Sequence, residues 1–154
     1  MTPARLLNRA ARLAVAGPLS RLHAALYRRT GGRFLPRWFG GPVMVLEVAG
    51  RRTGRPRRTP VIYVPDGDRF LVMGANAGAD RVPQWFLNVR AADRAVVQVR
   101  ARRIPVTARE VTGEEYQRLW DVFVRAYPAV DQYATFTTRR FPIAVLEPDD
   151  GSAR

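Results

Sequence analysis

Cysteine is absent from this 154-residue sequence, and histidine and serine are almost absent. Without cysteine the chain can form neither disulfides nor iron–sulfur clusters, and it has no thiolate nucleophile. His23 alone cannot build a zinc site of several histidine ligands within one chain. The two serines, Ser20 and Ser152, lie outside any nucleophile-elbow sequence. We therefore expect no metal site, and an enzyme of this composition would take its reactive group from a cofactor.

Lysine is absent as well, because all 26 basic residues are arginine. A GC-rich coding sequence favours arginine codons over lysine codons whatever the protein does, so the choice of arginine has a genomic explanation. That explanation does not cover the net charge of +13, since only 13 residues are acidic. An excess of this size indicates polyanionic partners, which include nucleic acid, anionic lipid and phosphorylated cofactors.

The sequence also lacks an apolar run long enough to cross a bilayer, and it lacks a signal peptide with a small-residue cleavage site. We therefore expect a cytoplasmic protein. Hydrophobic residues make up 47% of the chain and aromatic residues 10%, which is typical of a folded globular domain. A chain of this length fits one such domain.

Residues 1–30 form a basic segment with helical periodicity. Residues 2–37 contain no acidic side chain, and Leu19, Leu22 and Leu26 recur at helical spacing. Such a segment is typical of a helix that lies peripherally on the anionic inner face of the cell membrane. It is equally typical of a helix that covers the core and exposes arginine to water.

From Pro42 onward the pattern changes to short alternating or β-branched runs separated by turns. These runs predict six strands, near residues 43–49, 59–64, 69–74, 94–100, 103–110 and 142–147. Helices are predicted to begin at Pro83 and Thr112, and Thr112 with Glu115 matches a capping box. Short connections favour an antiparallel sheet, so we predict an α+β fold with a small barrel and flanking helices. The barrel domain would span residues 31–148, and residues 149–154 would form a frayed tail.

The loop between the first two predicted strands concentrates positive charge. Five arginines fall within the eight residues from Arg51 to Arg58, and Gly50 and Gly54 let the backbone turn. We call residues 50–58 the arginine hairpin. Clustered guanidinium groups repel one another unless an anion relieves the repulsion, and each can bind phosphate or carboxylate oxygens bidentately. The pattern therefore favours an anion site over a merely solvated basic turn.

Two further segments carry unusual residue combinations. The small-residue loop, residues 74–80, follows the third predicted strand and would let a flat ligand approach the backbone closely. Residues 83–90 predict a short helix that carries Trp85, Phe86 and the polar Asn88. An aromatic pair on a helix more often belongs to a core than to a cofactor contact, so each segment alone is a weak indication.

Taken together, these segments resemble the deazaflavin-dependent nitroreductases and quinone reductases, whose members use coenzyme F420 on a split β-barrel of the FMN-binding type. The resemblance rests on motifs in consistent order and spacing from about Leu26 to Pro148. The motifs are Gly50-Arg51-Arg52-Thr53-Gly54, Pro56-Arg57, Pro60, Pro65-Asp66-Gly67, Gly78-Ala79-Asp80-Arg81, Pro83, Trp85, Leu87-Asn88, Thr107-Ala108-Arg109, Tyr127-Pro128 and Pro142-Ile143.

The resemblance implies three groups of cofactor-binding residues. The phosphate and oligoglutamate tail of F420 would be held by Arg51, Arg52, Thr53, Arg57 and Arg58. The deazaflavin ring would be lined by Thr59, Pro60, Val61, Ile62, Met73, Gly74, Ala75 and Asn76. The pocket would be closed by Gln84, Trp85, Phe86, Leu87 and Asn88.

The resemblance also implies an acceptor site and a reaction. The acceptor would lie beside Tyr127, Val130 and Tyr133, and Tyr133 is the candidate catalytic residue. Val130 stands where nitroreductase members carry a tyrosine. The protein would transfer a hydride from the reduced deazaflavin to a quinone, an enone or a nitroaromatic compound, and water or a tyrosine hydroxyl would supply the final proton.

Two other interpretations remain open at this point. Related split barrels carry FMN or haem, so the same fold could bind one of those cofactors instead. A basic barrel could also bind nucleic acid, although that class places exposed aromatics beside arginines on adjacent strands, whereas most aromatics here fall on predicted helices. We therefore expect a small-molecule acceptor and no nucleic acid as partner, with membrane association and a homodimer left open.

Overall fold

The computed structural model describes residues 18–33, 37–38 and 40–149, and these ranges contain four α-helices and seven β-strands. The helices are α1 (Pro18–Arg29), α2 (Gln84–Ala92), α3 (Gly113–Ala126) and α4 (Ala129–Ala134). The strands are β1 (Arg37–Trp38), β2 (Gly41–Ala49), β3 (Pro56–Asp66), β4 (Arg69–Met73), β5 (Arg94–Val99), β6 (Arg102–Glu110) and β7 (Ile143–Pro148).

Six of these strands close into an antiparallel barrel. The order along the sheet is β1-β2-β3-β4-β7-β6-β5, and β5 pairs back onto β2 with Val97 opposite Leu46. Closure pairs both edges of the sheet and so satisfies backbone groups that an open edge would expose. The predicted α+β architecture, a small antiparallel barrel flanked by helices, is confirmed.

Strand alternation explains how the barrel obtains its interior. Every second residue of β2, namely Met44, Leu46 and Val48, is buried in one core cluster with Phe86 and Val89 of α2. The sequence predicted this strand from a dense apolar run, and the sharing of one face by these three residues follows from the pleat of a strand. Burying side chains of this size contributes about 1.5–3 kcal/mol each, so α2 is held against the barrel by its own apolar residues.

A second core lies outside the barrel, between the sheet and helices α3 and α4. Leu71 of β4 and Val145 of β7 pair with each other and share this core with Leu119 and Phe123 of α3. The apolar residues of α3 recur at helical spacing, as predicted. The same core includes Tyr127, which follows α3 directly, so the packing places the predicted acceptor residues beside the sheet.

Helix α1 covers the barrel with a different face from the predicted one. Its buried residues are Ser20, His23, Ala24 and Tyr27, whereas Leu19 and Leu22 are 57% and 56% exposed. The prediction of a helix is right, but the prediction that the leucine stripe covers the core is wrong at these two positions. Ala24 and Tyr27 pack against Val45 of β2 instead.

The C-terminal end of α1 is fastened to the β5–β6 turn. The hydroxyl of Tyr27 accepts a hydrogen bond from the backbone N–H of Arg100 at 2.6 Å. No helix within the described ranges combines the length and the apolarity that crossing a bilayer requires. The first seventeen residues of the predicted basic segment lie outside the described residues.

Two local predictions need correction. Strand β3 begins at Pro56 rather than near residue 59, because its ladder with β2 continues into the arginine hairpin as far as the pair of Ala49 with Pro56. The capping box does not form: Thr112 makes no side-chain capping bond, and the Glu115 carboxylate instead accepts from the guanidinium of Arg109 at 2.7 Å. The ion pair between neighbouring elements replaces the local cap.

Asp149, the residue that follows β7, is bonded to β6. Asp149, which was assigned to the frayed tail, accepts from the hydroxyl of Thr107 at 2.8 Å and donates its backbone N–H to the carbonyl of Pro105 at 3.0 Å. The tail prediction is therefore wrong for Asp149. Residues 150–154 lie outside the described part of the chain.

Candidate functional site

The arginine hairpin is fastened to α2 through Arg51. The backbone N–H and the guanidinium of Arg51 donate to Oδ1 of Asn88 at 3.1 and 3.0 Å, and the guanidinium also donates to Oε1 of Gln84 at 2.8 Å. Gln84 and Asn88 lie four residues apart, so both face the hairpin from one side of α2. The structure therefore brings together residues from two predicted groups, and Arg51 is a structural tie rather than a free anion ligand.

Short backbone bonds hold the hairpin turn itself. The N–H of Gly54 donates to the carbonyl of Gly50 at 2.7 Å, and the N–H of Gly50 donates to the carbonyl of Arg55 at 2.8 Å. The hydroxyl of Thr53 accepts from the N–H of Arg55 at 3.3 Å. A Cβ atom on Gly50 would lie 3.1 Å from that hydroxyl and 3.4 Å from Nε of Arg57. The glycine therefore lets the arginine side chain fold close over the turn.

Arg57 and Arg58 point to opposite faces of the barrel wall. In the β2–β3 ladder, Arg57 pairs with the inward-pointing Val48, and Arg58 pairs with Glu47 on the outer face. Nε of Arg58 donates to the Glu47 carboxylate at 2.5 Å. The role of Arg58 in the anion site stays a prediction; in this structure its guanidinium is engaged with Glu47.

Glu47 gathers two arginines on that outer face. Its carboxylate accepts from Arg103 at 3.3 Å in addition to Arg58. Burial alone would raise the pKa of Glu47, but the two guanidinium groups outweigh it and hold that pKa below its ordinary value. The carboxylate of Glu47 therefore offsets part of the positive charge that Arg58 and Arg103 place beside the hairpin.

Three guanidinium groups of the hairpin, those of Arg52, Arg55 and Arg57, are exposed and make no hydrogen bond or ion pair with the residues that the structure describes. Arg52 and Arg57 were predicted to bind an anion, and Arg55 was not. Its place in the same charge cluster was the signal that could have included it. Unpaired cations in one short hairpin could hold a multiply charged anion.

Helix α2 presents an aromatic wall of which only part reaches the surface. Trp85 is half-buried and its ring lies 5.5 Å from that of Phe86, edge to face. Phe86 is 0% exposed and Val61 is 5% exposed, and both belong to the barrel interior. The core surrounds both side chains, and their contact with a ligand stays a prediction. Trp85 and Leu87 keep partly exposed side chains.

The small-residue loop approaches α2 and the segment before β7 closely. A Cβ on Gly74 would lie 3.0 Å from Pro142 and 3.2 Å from the ring of Phe86. Asn76 and Ala77 have φ of +48° and +49°, in the left-handed region that side chains disfavour, and Gly78 has φ of +77°. Three consecutive residues of this kind form a compact turn without bulky side chains.

The guanidinium of Arg139 holds this loop from outside. It donates to the carbonyl oxygens of Gly74 and Ala75 at 3.0 Å, and to that of Ala79 at 3.0 and 2.9 Å. Burial lowers the pKa of Arg139, while the charge of Asp80 acts in the opposite direction. Sequence reasoning missed Arg139, because nothing local distinguishes it from the other arginines of this chain.

The predicted acceptor residues meet beside the loop. The hydroxyls of Tyr127 and Tyr133 lie 3.3 Å apart, Val130 is buried in the same core, and Ile62 of β3 packs against it. Burial raises the pKa of Tyr127, and the hydrogen bond with Tyr133 raises it further. Tyr133 keeps a partly exposed side chain, so it is the one of the two that an incoming molecule would touch.

The predicted ring-lining residues differ in accessibility. Partly exposed side chains belong to Thr59, Ile62 and Asn76, and buried residues are Pro60, Val61, Met73, Gly74 and Ala75. A separate cavity of about 690 Å³ lies against α1 and the β5–β6 turn. It contains none of the predicted site residues and is lined by Ala25, Arg28, Arg29, Gly31, Gln98, Ala101 and Arg103.

These features define a class of protein. A barrel that places a guanidinium-rich hairpin, an aromatic helix and a loop of small residues together suits a flat cofactor that carries several negative charges. The chain belongs to the F420H(2)-dependent quinone reductase family, whose model matches residues 19–148.

Similar proteins agree with this assignment. The F420H(2)-dependent quinone reductase Rv1261c of Mycobacterium tuberculosis (strain H37Rv) is 36% identical over 133 residues, which cover 83% of this chain and 89% of that protein. A solved structure of an F420-H2 dependent reductase (FDR-A) is 31% identical, with a TM-score of 0.64, over 69% of this chain and 94% of that chain. The haem storage protein HutZ from Vibrio cholerae, 14% identical with a TM-score of 0.55, covers 71% of this chain and 82% of its own and shares the fold alone.

Proposed function

We propose that this protein reduces quinones with a hydride taken from reduced coenzyme F420. The observation that carries the proposal is the group of three exposed guanidiniums, Arg52, Arg55 and Arg57, which have no acidic partner in the described residues. F420 joins a flat deazaflavin ring to a phosphate and a chain of glutamate carboxylates, so its tail would relieve the repulsion among these cations. Family membership supports the choice of cofactor and of acceptor.

The residues present fit such a cofactor in two places. The hairpin arginines fit the anionic tail, and the small-residue loop fits the ring because it carries no bulky side chain and its backbone lies close to α2 at Phe86. When bound, the reduced cofactor supplies a hydride, which the quinone takes up with one proton to give the quinol and the oxidised cofactor. The shortage of cysteine, histidine and serine is compatible with this chemistry, since no side chain has to act as a nucleophile.

The chain would then contribute binding, orientation and a hydrogen bond. Arg52 and Arg57 would fix the tail, and the loop would fix the plane of the ring. Tyr133 would donate its hydroxyl proton, as a hydrogen bond or outright, to the acceptor oxygen on which negative charge develops. Enones and nitroaromatic compounds belong to the proposal as further acceptors, because they too are electron-poor groups that accept a hydride.

Cofactor binding is tested by removing the two predicted tail ligands together. We expect the double variant Arg52→Gln/Arg57→Gln to raise the Kd for F420, measured by quenching of tryptophan fluorescence, on the order of 100-fold. The matched control is Arg102→Gln/Arg125→Gln, which removes the same charge from exposed positions on β6 and α3. Equal Kd values for wild type and the hairpin variant would contradict the proposal, and equal losses in both variants would reduce it to a net-charge effect.

The acceptor is tested separately. Anaerobic mixing of the protein with reduced F420 and a menaquinone, an enone or a nitroaromatic compound should oxidise the cofactor fastest with the quinone. Failure with every acceptor would contradict the enzymatic proposal even if the cofactor binds. A protein that instead purifies with a yellow flavin or a haem would favour the FMN or haem interpretation.

Helix α1 supports a peripheral position on an anionic membrane as a refinement of this function. Its exposed Leu19 and Leu22 stand beside the basic residues Arg21, Arg28 and Arg29, and a quinone pool lies in such a membrane. The double variant Leu19→Ser/Leu22→Ser should lose pelleting with phosphatidylglycerol vesicles. The control Ala91→Ser/Ala126→Ser should retain it, and unchanged pelleting of the leucine variant would exclude α1 as the contact.

The homodimer also stays a prediction. It is supported by a solved structure described as a domain-swapped dimer, 25% identical with a TM-score of 0.65, which covers 95% of this chain and 100% of its own. Sedimentation velocity of the purified protein would show twice the monomer mass if two copies associate, and a monomer at micromolar concentration would contradict it.

A further inference from the structure

We propose that Arg139 is a positioning residue for the cofactor, which acts through the small-residue loop; the inference rests on the proposed function. Arg139 lies between α4 and β7 and is not part of any predicted site. Its guanidinium makes four hydrogen bonds to the three loop carbonyls of Gly74, Ala75 and Ala79, all at 2.9–3.0 Å. A planar group with five donors is suited to gathering several oxygens at once.

The loop needs such a restraint for two reasons. Gly74 and Ala75 are buried, and carbonyl oxygens in buried backbone must find donors. The left-handed conformation of Asn76 and Ala77 is unfavourable in isolation and persists only when surrounding contacts impose it. Without the guanidinium, the carbonyl oxygens of Gly74 and Ala79 would lose their donor, that of Ala75 would keep only the N–H of Gly78 at 2.9 Å, and the turn would relax toward other conformations.

Arg139 is itself held in place by the core. Its guanidinium carbon lies 4.9 Å from the ring centroid of Phe141. The carbonyl of Phe141 accepts from the buried hydroxyl of Tyr116 at 2.7 Å, and the carbonyl of Pro142 accepts from the N–H of Gly74 at 2.8 Å. We call the four hydrogen bonds of Arg139 to the loop the clamp. Through Phe141 and Pro142, the clamp connects the loop to α3 and to the segment before β7.

The clamp acts on both halves of the proposed site. Because the carbonyl oxygens of Gly74, Ala75 and Ala79 are directed toward Arg139, their partial negative charge is engaged by the guanidinium instead of facing a bound ring. The loop also touches α4, since a Cβ on Gly78 would lie 2.6 Å from the carbonyl oxygen of Tyr133. Arg139 thus sets the position of the ring wall relative to the helix that carries the acceptor residue.

The test compares Arg139→Gln, Arg139→Lys and the control Arg140→Gln. Arg140 stacks its guanidinium 3.5 Å from the ring centroid of Tyr116 and has no side-chain bond to the loop.

In cofactor-free protein we expect Arg139→Gln to speed amide hydrogen exchange in residues 74–80 roughly tenfold or more, with α3 and β6 unchanged. The Kd for F420 should rise roughly tenfold. Arg139→Lys should fall between, because an ammonium cannot reproduce the planar fork, and Arg140→Gln should match wild type.

The outcomes separate this inference from the proposed function. Unchanged exchange in residues 74–80 of Arg139→Gln overturns the clamp, whatever the cofactor does. Faster exchange with an unchanged Kd overturns the positioning role, while the proposed function stands. If wild type itself does not bind F420, the proposed function fails and the exchange data alone decide whether Arg139 holds the loop. Should Arg139→Gln not fold, the comparison of Arg139→Lys with Arg140→Gln gives the same decision.

Discussion

The backbone N–H and the guanidinium of Arg51 converge on one atom, Oδ1 of Asn88, at 3.1 and 3.0 Å. This relationship joins the arginine hairpin to α2, and so it joins the cationic part of the site to its aromatic wall. An amide oxygen that accepts two donors from one residue fixes both the position of the hairpin backbone and the direction of the side chain. Arg51 and Asn88 therefore set the geometry in which the neighbouring arginines are presented.

The Asn88 amide can be replaced in two ways with different expected results. Asn88→Ala removes the acceptor of both bonds, so we expect the free energy of unfolding to fall by about 1–2 kcal/mol and the affinity for F420 to fall with it. Asn88→Asp keeps an acceptor and strengthens its bond to Arg51, so stability should be retained. The added negative charge should still weaken binding of the anionic cofactor.

Urea unfolding and fluorescence titration measure the two effects. Gln117→Ala on the exposed face of α3 is a suitable control for the loss of a surface amide. If Asn88→Asp bound F420 more tightly than wild type, the hairpin would not be an anion site. If Asn88→Ala had the same free energy of unfolding as wild type, the hydrogen bonds between the hairpin and α2 would contribute nothing to stability.

Much of this fold could be predicted from local patterns. Strand β2 is predicted from its dense run of aliphatic residues, and the structure buries Met44, Leu46 and Val48 of that run in the barrel core. The charge of the hairpin was equally visible. The contact of Arg51 with Asn88 was not, because it depends on where α2 docks over the barrel, which no local spacing encodes.

The misses share the same physical origin. Leu19 and Leu22 looked like a core stripe, but Ala24 and Tyr27 pack against β2 instead. Arg139 looked like one surface cation among many, and only the folded position of the small-residue loop gives it carbonyl partners. Thr112 and Glu115 match the sequence of a local cap, yet the Glu115 carboxylate accepts a charged hydrogen bond from Arg109 instead.

Glu47 makes stability depend on pH on the acid side. Its folded-state pKa lies below the ordinary value, so its contribution is fully present above that ordinary value and is lost as pH falls through the folded one. We expect Glu47→Gln to lower stability by about 0.5–1 kcal/mol at pH 7, since its arginine partners are partly exposed and screened. The difference from wild type should shrink as the pH falls below the ordinary range of a carboxyl group, and Glu114→Gln on α3 is the control for the loss of one exposed carboxylate.

The left-handed turn of the small-residue loop gives opposite predictions at adjacent positions. Ala77 has φ of +49°, so Ala77→Gly should be neutral or stabilise the protein by up to about 1 kcal/mol as strain is relieved. Gly78→Ala should destabilise it by about 3 kcal/mol or more, because the new Cβ would lie 2.6 Å from the backbone oxygen of Tyr133. Thermal unfolding checks both, and a loss of stability in Ala77→Gly would contradict the conformation.

Tyr127 makes stability depend on pH on the alkaline side. Burial and its bond to Tyr133 raise its pKa above the ordinary value, so its contribution is present below about pH 10 and is lost as pH rises beyond that. Tyr127→Phe should cost about 1 kcal/mol at pH 7 and should show a shallower decline of stability above pH 10 than wild type. Identical alkaline slopes would indicate that the Tyr127 hydroxyl ionises as freely as in water.

Tyr133 should affect turnover without affecting the cofactor. Its partly exposed hydroxyl lies 3.3 Å from that of the buried Tyr127, which can hold it toward an acceptor. We expect Tyr133→Phe to leave the Kd for F420 unchanged and to lower kcat for quinone reduction roughly tenfold, the cost of one hydrogen bond made in the transition state. Tyr127→Phe should cause a smaller fall, because it removes only the orienting partner. A Tyr133→Phe variant with full turnover would show that water alone supplies the proton. A raised Kd for the cofactor in that variant would show that Tyr133 contacts the cofactor rather than the acceptor.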